Sequence, residues 1–290
     1  MTFLRSRYVE PTRGETMSVT THVQRPLRLG FIGWGAINRR VAQLLRDRQG
    51  ERIIVAAICL KDVADGVDVP AGAMIITDPG ELRHVELDFM VEAAGRSAVA
   101  EWGEAALQQA QALVVASASA FCDDVLLERL VSVAEENGTQ LLVPPGALAG
   151  VDAIAAAAIL ELDEVIHRIV KPPAAWRGTD AEKLVALSDI RRSATFFAGT
   201  ARDAAARFPQ NANVAAITAL SGIGLDRTHV ELVADPDASG NRHELVVRGD
   251  FGKLSVSIEN RPLAANPKSS EMAALSLVRL VENRFLAFAR

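Results

Sequence analysis

Short apolar runs alternate with helical repeats along the first half of the chain. The apolar runs cover residues 27–32, 53–59, 73–76, 88–93, 112–116 and 140–143. Residues 99–110 and 125–136 repeat apolar side chains every three or four positions, as does the segment that begins at Ile37. Strands that are apolar throughout and alternate with helices are typical of a parallel sheet covered on both faces. The pattern therefore predicts an α/β domain with a doubly wound parallel sheet over residues 27–146.

The pattern changes in the second half of the chain. Three strand-like segments, 228–234, 243–248 and 253–259, follow one another without a helix between them. In the last segment apolar and polar residues alternate, which indicates a sheet with one face in solvent. We therefore expect an α+β domain with a mixed or antiparallel sheet over residues 147–267.

The two ends of the chain differ in pattern from both domains. Residues 270–290 repeat apolar side chains at helical spacing, which predicts one long helix, and we expect the segment 268–290 to pack back on the first domain. Residues 1–26 are mostly polar and have no periodic apolar face, so they predict a disordered N-terminal extension. Either Met1 or Met17 is the start of translation.

Composition narrows the class of protein. The 290 residues carry a formal net charge of −5 and contain no basic block, which argues against a nucleic-acid partner. No segment approaches the ~20 apolar residues of a membrane helix, and the N-terminus lacks the apolar core of a secretory signal. The two cysteines are far apart and lack metal-ligand spacing. We expect a cytoplasmic protein without a metal site or a membrane partner, which binds small molecules.

The first apolar run ends in a glycine-rich turn. Gly33 and Gly35, followed by Ala36 and Ile37, lie where a strand passes into a helix. In a Rossmann unit the first glycine permits the tight turn and the second lets the backbone approach a pyrophosphate at the helix N-terminus. Asn38 replaces the usual third glycine, so the helix is either displaced or held by a local hydrogen bond of this side chain. These four turn residues are the predicted dinucleotide site.

The segments after two further strands bear on which dinucleotide binds. No carboxylate clearly ends the second strand, where Leu60 is followed by Lys61 and Asp62. Lys61 suits the 2′-phosphate of NADP, and Asp62 suits the ribose hydroxyls of NAD, so the cofactor is NAD or NADP. Ala94 and Gly95 follow the fourth strand, where small residues leave room for a ribose and a nicotinamide.

Several longer motifs carry a specific resemblance. In chain order they are residues 33–37 (Gly-Trp-Gly-Ala-Ile), 92–95 (Glu-Ala-Ala-Gly), 146–152 (Gly-Ala-Leu-Ala-Gly-Val-Asp), 171–173 (Lys-Pro-Pro), 208–216 (Phe-Pro-Gln-Asn-Ala-Asn-Val-Ala-Ala), 222–228 (Gly-Ile-Gly-Leu-Asp-Arg-Thr), 241–243 (Asn-Arg-His) and 266–270 (Asn-Pro-Lys-Ser-Ser). From about Leu27 to the C-terminus the chain resembles the L-aspartate dehydrogenase family. The resemblance implies reversible NAD(P)-dependent deamination of L-aspartate to iminoaspartate or oxaloacetate and ammonia. It also implies a link to NAD biosynthesis.

The resemblance assigns roles to three residues. His243 takes the position of the family's catalytic histidine, and Ala147 and Asn213 take the positions of cofactor-contacting residues. An imidazole that titrates near neutrality suits proton transfer, and an asparagine amide offers both a donor and an acceptor to the nicotinamide carboxamide. The remaining histidines are interpreted as structural or surface groups, with His229 as the one rival for the catalytic role.

The substrate carboxylates require a cation, and three candidates lie in matched motifs: Lys171, Arg227 and Lys268. Bidentate binding of a carboxylate favours an arginine, but the sequence leaves the choice open.

Two other functions compete with this one. The chain could be a related oxidoreductase, homoserine-dehydrogenase-like or dihydrodipicolinate-reductase-like, or a dinucleotide-sensing protein without turnover. A homodimer is expected in each case, because two-fold dimers are the commonest soluble oligomers.

Overall fold

The computed structural model describes residues 25–62 and 68–289. The strands are β1 (Leu27–Ile32), β2 (Ile53–Cys59), β3 (Met74–Ile76), β4 (Phe89–Glu92), β5 (Ala112–Val115), β6 (Gln140–Leu142), β7 (Leu162–Lys171), β8 (Ala194–Thr200), β9 (His229–Ala234), β10 (Asn241–Gly249), β11 (Gly252–Asn260), β12 (Pro262–Leu263) and β13 (Asn266–Ser270). The α-helices are α1 (Ala36–Gln49), α2 (Arg96–Gln109), α3 (Asp124–Asn137), α4 (Val151–Ala157), α5 (Ala201–Arg207), α6 (Ala212–Ser221) and α7 (Glu271–Glu282). Nearly all of the expected N-terminal extension, residues 1–24, lies outside the described residues.

The first sheet has six parallel strands in the order β3-β2-β1-β4-β5-β6. Helices α2 and α3 cover one face, and α1 and α7 cover the other. The strand order reverses between β1 and β4, where ligands of doubly wound sheets bind beyond the carboxyl ends of the strands. The apolar runs read from the sequence are these strands, and the predicted fold class is confirmed.

The second sheet is mixed, in the order β11-β10-β7-β9-β8. Only β7 and β9 are parallel; the other neighbours are antiparallel. Apolar side chains on one face pack against α4, α5 and α6. The opposite face carries ion pairs between strands, such as those of Arg168 with Glu231 and Glu244, both at 2.8 Å.

Several elements, among them the short strands β12 and β13, differ from the sequence-based expectation. Helix α6 was missed because its apolar residues are spread around the helix and form no distinct apolar face, so the sequence shows no 3.6-residue periodicity. Strand β8 at the sheet edge was also missed. The predicted C-terminal helix was too long: α7 ends at Glu282, and turns follow in which the Phe285 ring packs beneath the Arg52 guanidinium, 5.1 Å away. This contact directs the chain end back onto the first domain.

The C-terminal helix belongs to the core of the first domain. Leu277 and Val281 of α7 pack with Val41 and Leu45 of α1 beneath the parallel sheet. Ion pairs between the two helices reinforce the contact at both ends, with Arg40 bound to Glu271 at 2.7 Å and Arg48 bound to Glu282 at 2.8 Å. Among the described residues, the first domain is therefore formed by two separate stretches of sequence, and the second sheet is formed by the residues between them.

Within the described ranges, no helix is long and apolar enough to pass through a bilayer. The same ranges contain no cluster of three histidine, cysteine or acidic side chains arranged to hold a metal ion.

Candidate active site

A cavity of about 160 Å³ lies where the two sheets meet. This volume suits a small molecule and falls below the 300–1,000 Å³ typical of larger ligands. Six residues predicted from the sequence line it: Ile37, Ala147, Lys171, Asn213, Lys268 and His243. Segments far apart in sequence therefore meet at one place.

The two glycines of the turn between β1 and α1 have different surroundings. Gly33 has a φ of +81°, and a β-carbon added there would lie 2.6 Å from that of Ala94. Gly35 caps α1 with an ordinary backbone conformation, and a β-carbon there meets no atom of the described residues within 4 Å. Gly33 is thus required by the fold, whereas Gly35 leaves open space at a helix N-terminus, where an anionic group is stabilised.

Substitutions at the two glycines should therefore have different effects. Gly33→Ala should lower the free energy of unfolding by about 1–3 kcal/mol, because it combines an unfavourable φ with a clash. Gly35→Ala should leave stability unchanged but weaken NAD(P)H binding about tenfold or more, because its methyl group fills space needed by the pyrophosphate. Denaturant unfolding and fluorescence titration measure the two effects. Equal loss of stability in both variants would contradict this assignment.

Asn38 compensates for the missing third glycine. Its side chain is fully buried, and Nδ2 donates to the carbonyl oxygens of Ile32 and Gly33 at 3.0 and 2.8 Å. Its Oδ1 has no hydrogen-bond partner among the described residues. Of the two alternatives left by the sequence, the local hydrogen bond is the one observed, and it holds the turn to the helix.

Glu92 organises the edge of the parallel sheet, and the sequence analysis missed it. Its buried carboxylate accepts hydrogen bonds from the backbone N–H groups of Ala94, Gly95 and Ser117 and from the Ser117 hydroxyl, at 2.6–3.0 Å. Burial raises the pKa of Glu92, and these hydrogen bonds oppose the shift. One side chain thus ties together the segments after β4 and β5, next to the predicted ribose position.

Lys61 and Asp62 are exposed and follow Leu60, the first residue after β2. Residues 63–67 lie outside the described part, so the roles of Lys61 and Asp62 at the adenosine ribose stay predictions.

Two strands of the second sheet bring three polar side chains together. His243 on β10 pairs with Ile169 on β7, so that His167 and Lys171 are its diagonal neighbours on the helix-covered face. The Nδ1 of His243 lies 3.1 Å from the Nε2 of His167, and both rings are buried. From the sequence, His167 is interpreted as a structural or surface group. Because side chains alternate along a strand, His167 and Lys171 of β7 lie on the same face, and this spacing was the available signal.

Burial lowers the basicity of this cluster. It lowers the pKa of His243 to about 3, and the nearby charge of Lys171 adds to the shift. Burial also lowers the pKa of Lys171 to about 8, where its ammonium group lies 5.0 Å from the centre of the Trp176 ring. The expectation that His243 titrates near neutrality is therefore wrong for the unliganded protein: at neutral pH this imidazole is uncharged.

The asparagine and the alanine that are predicted to contact the cofactor also line the cavity. Asn213, at the start of α6, accepts a hydrogen bond from the Ser119 backbone N–H at 3.1 Å, which directs its NH₂ group away from that loop. The carbonyl of Ala147 accepts from the Asn260 amide at 2.9 Å. The first contact links α6 to the first domain, and the second links the segment that enters the second domain to β11.

Two predicted candidates lie away from the cavity. Arg227 is exposed and donates to the carbonyl of Leu162 at 3.3 Å, at the opposite end of β7 from Lys171 and about 30 Å from it. His229 starts β9, is exposed, and lies 3.9 Å from Glu231. Neither side chain lines the cavity. Lys268 remains in the cavity wall together with Lys171.

Comparisons with known proteins show the family to which the chain belongs. Residues 152–284 match the family model for the C-terminal domain of aspartate dehydrogenase, and residues 33–144 match that for the NAD-binding domain of homoserine dehydrogenase. The L-aspartate dehydrogenase of Brucella anthropi is 52% identical over 255 residues, covering 88% of this chain and 95% of that protein. That of Cupriavidus necator is 40% identical over 262 residues, covering 89% and 97%.

A solved structure supports the fold. The aspartate dehydrogenase of Thermotoga maritima superposes with a TM-score of 0.73 at 22% identity, and the match covers 90% of this chain and 98% of that one. A hyperthermophilic archaeal homoserine dehydrogenase in complex with NADPH superposes with a TM-score of 0.57 at 11% identity, covering 91% of this chain and all of the other. The family resemblance read from the motifs is confirmed: the chain belongs to the L-aspartate dehydrogenase family.

Proposed function

We propose that this protein catalyses the reversible NAD(P)-dependent oxidative deamination of L-aspartate to oxaloacetate and ammonia, through iminoaspartate. The observation that carries the proposal is the cluster of a buried imidazole, His243, and a half-buried ammonium, Lys171, in a small cavity at the edge of a dinucleotide fold. A dicarboxylate needs a cation, and an amine that is oxidised needs a proton acceptor.

The residues present fit a dinucleotide. Gly35 leaves open space at the N-terminus of α1, and small residues such as Ala93, Ala116 and Ser117 line the cavity. NAD(P)⁺ supplies the acceptor for the hydride that leaves the substrate Cα. Because the Oδ1 of Asn213 accepts from Ser119, its NH₂ group would donate to the carboxamide of the nicotinamide in this proposal.

The side chains of the cavity account for binding of the substrate carboxylates and for proton transfer. Lys171 binds a substrate carboxylate, and Lys268 at the rim supplies a second positive charge. The Nε2 of His243 accepts a proton from the substrate ammonium and releases it to solvent. It then accepts a second proton from the water that adds to the imine and returns this proton to the nitrogen that leaves as ammonia. Because the charge of Lys171 lowers the pKa of His243, a carboxylate bound to Lys171 removes part of that effect and makes His243 a stronger base when substrate is present.

A spectrophotometric assay of NAD(P)H oxidation tests the function. Oxidation that requires both oxaloacetate and ammonia is the expected result. A panel with aspartate semialdehyde and dihydrodipicolinate tests the related oxidoreductases, and binding of NAD(P)H without turnover of any substrate would identify a dinucleotide sensor. Either of these outcomes would overturn the proposal.

Cofactor choice is expected to be relaxed. Since Leu60 rather than a carboxylate follows β2 directly, NAD and NADP should have catalytic efficiencies within about two orders of magnitude, about 3 kcal/mol. Lys61→Ala should reduce the efficiency with NADP and spare that with NAD. Stronger exclusion of NADP by the wild type, unaffected by Lys61→Ala, would place Asp62 at the ribose instead.

The protein acts as a cytoplasmic homodimer in this proposal, and its product supplies NAD biosynthesis. The ion-paired face of the second sheet supports dimer formation, because its charges already have partners and its side chains remain partly exposed. The two functional units run over residues 27–146 and 147–267, with 268–290 returning to the first. Light scattering in solution measures the dimer.

A further inference from the structure

Behind His243, a continuous chain of hydrogen bonds runs into the second domain. The Nδ1 of His243 lies 3.1 Å from the Nε2 of His167, and the Nδ1 of His167 lies 3.0 Å from the Oγ1 of Thr218. The Thr218 hydroxyl in turn lies 3.0 Å from the carbonyl oxygen of Val214, one turn earlier in α6. His167 and Thr218 are fully buried, so water does not compete for these contacts.

The contact between Thr218 and Val214 determines which atom is the donor in every hydrogen bond of this series. Two oxygen atoms 3.0 Å apart repel each other unless a hydrogen lies between them, and the Val214 carbonyl has none to give. The Thr218 hydroxyl therefore donates to Val214. Its oxygen is then left to accept, and the Nδ1 of His167 must be the donor.

The same logic extends to the second imidazole. A neutral imidazole has one N–H and one lone pair, so a proton on Nδ1 of His167 leaves its Nε2 as an acceptor. That Nε2 faces the Nδ1 of His243, which must then carry the proton of its own ring. The remaining nitrogen of His243, Nε2, is left with a free lone pair.

We propose that Thr218 and His167 are positioning residues that hold His243 in the Nδ1–H tautomer, with its Nε2 lone pair available as the proton acceptor of the reaction. This inference rests on the proposed function for the reaction itself. It goes beyond that function because it assigns the proton positions and names two residues that do not line the cavity.

Two features agree with this arrangement. The chain requires both rings to be neutral, and burial lowers the pKa of both imidazoles, that of His167 well below its ordinary value. The chain also ends on a backbone carbonyl, which cannot pass a proton on. It therefore orients His243 and does not conduct protons away from the cavity.

Nitrogen NMR of the unliganded protein tests the tautomers without any turnover. With ¹⁵N-labelled histidine at pH 7.5, and resonances assigned with His167→Gln and His243→Gln, both rings should show a protonated Nδ1 and an unprotonated Nε2. A protonated Nε2 on His243 would overturn the proposal. Because no substrate is used, this result stands whether or not L-aspartate is the substrate.

Variants of Thr218 connect the tautomer to the reaction. Thr218→Val keeps the shape but removes the hydroxyl, so Nδ1 of His167 loses its acceptor and the reversed proton arrangement becomes favoured. Turnover should fall about 10- to 100-fold with little change in NAD(P)H affinity, and the NMR pattern of His243 should change. Thr218→Ser retains the hydroxyl and should restore both the turnover and the pattern.

Substitutions at His167 distinguish a role in orienting the His243 ring from a role in packing alone. His167→Gln offers a carbonyl oxygen to His243 and an NH₂ group to Thr218, so it should retain more activity than the apolar His167→Leu. Wild-type turnover in Thr218→Val or His167→Leu, with the Nδ1–H tautomer of His243 intact, would refute the role of the chain. Absence of aspartate turnover in the wild type, with the expected tautomers present, would instead reject the proposed function alone.

Discussion

Replacement of His243 by alanine should lower turnover by about 10²–10⁴-fold, the usual contribution of a positioned acid–base group. The affinity for NAD(P)H should be nearly unchanged, because the glycine turn that is expected to hold the dinucleotide lies in the other domain. Steady-state kinetics with L-aspartate and fluorescence titration with NAD(P)H measure the two quantities.

His229→Ala is the matched control for this substitution. His229 also lies on a strand of the second sheet, but it is exposed and outside the cavity, so its removal should leave turnover nearly intact. Turnover of His243→Ala within about threefold of the wild type would remove His243 from the mechanism. A loss of equal size in both variants would point to a general effect on the sheet.

Replacement of Lys171 by methionine should reduce kcat/KM for L-aspartate by roughly 10–100-fold. A hydrogen bond to a charged group is worth about 1.5–3 kcal/mol, and methionine keeps the aliphatic contact with Trp176 while removing the charge. Arg227→Met removes a cation of the same domain that lies far from the cavity and should have little effect.

The pH dependence of binding identifies Lys171 independently of the chemistry. Its pKa is lowered to about 8, so its charged form is present below pH 8 and lost above it. Inhibition by succinate, a dicarboxylate without an amino group, should therefore weaken as the pH rises through about 8. In Lys171→Met this dependence should be absent. If it persists, another group, with Lys268 the first candidate, holds the carboxylate.

The sequence predicted what depends on local pattern. The strands and helices of the first domain follow from apolar runs and helical spacing, and the turn at Gly33 follows from the need for a positive φ next to a close neighbour. The motifs around Asn213 and His243 led to the family, which the relatives confirm.

Features that depend on long-range register were beyond the sequence. His167 meets His243 only because β7 and β10 pair in one particular register; alternation along β7 indicates that His167 and Lys171 share a face but not that His243 lies opposite. Arg227 lies in a matched motif, but its side chain contacts Leu162 at the end of β7 opposite to Lys171, a position that the motif alone does not reveal. Helix α6 could not be predicted because it lacks separate polar and apolar faces. The role of Glu92 could not be predicted because it depends on N–H groups from two separate loops.

The return of the C-terminal helix to the first domain limits how the two domains can move. The second domain is attached at two places, near Gly146 and through β13, and both attachments border the cavity. Rotation of one domain against the other is then restricted to an axis through the two attachments, and atoms near that axis move least. Because His243 and Lys171 lie on paired strands of the second sheet, a rotation of this kind would leave their spacing unchanged.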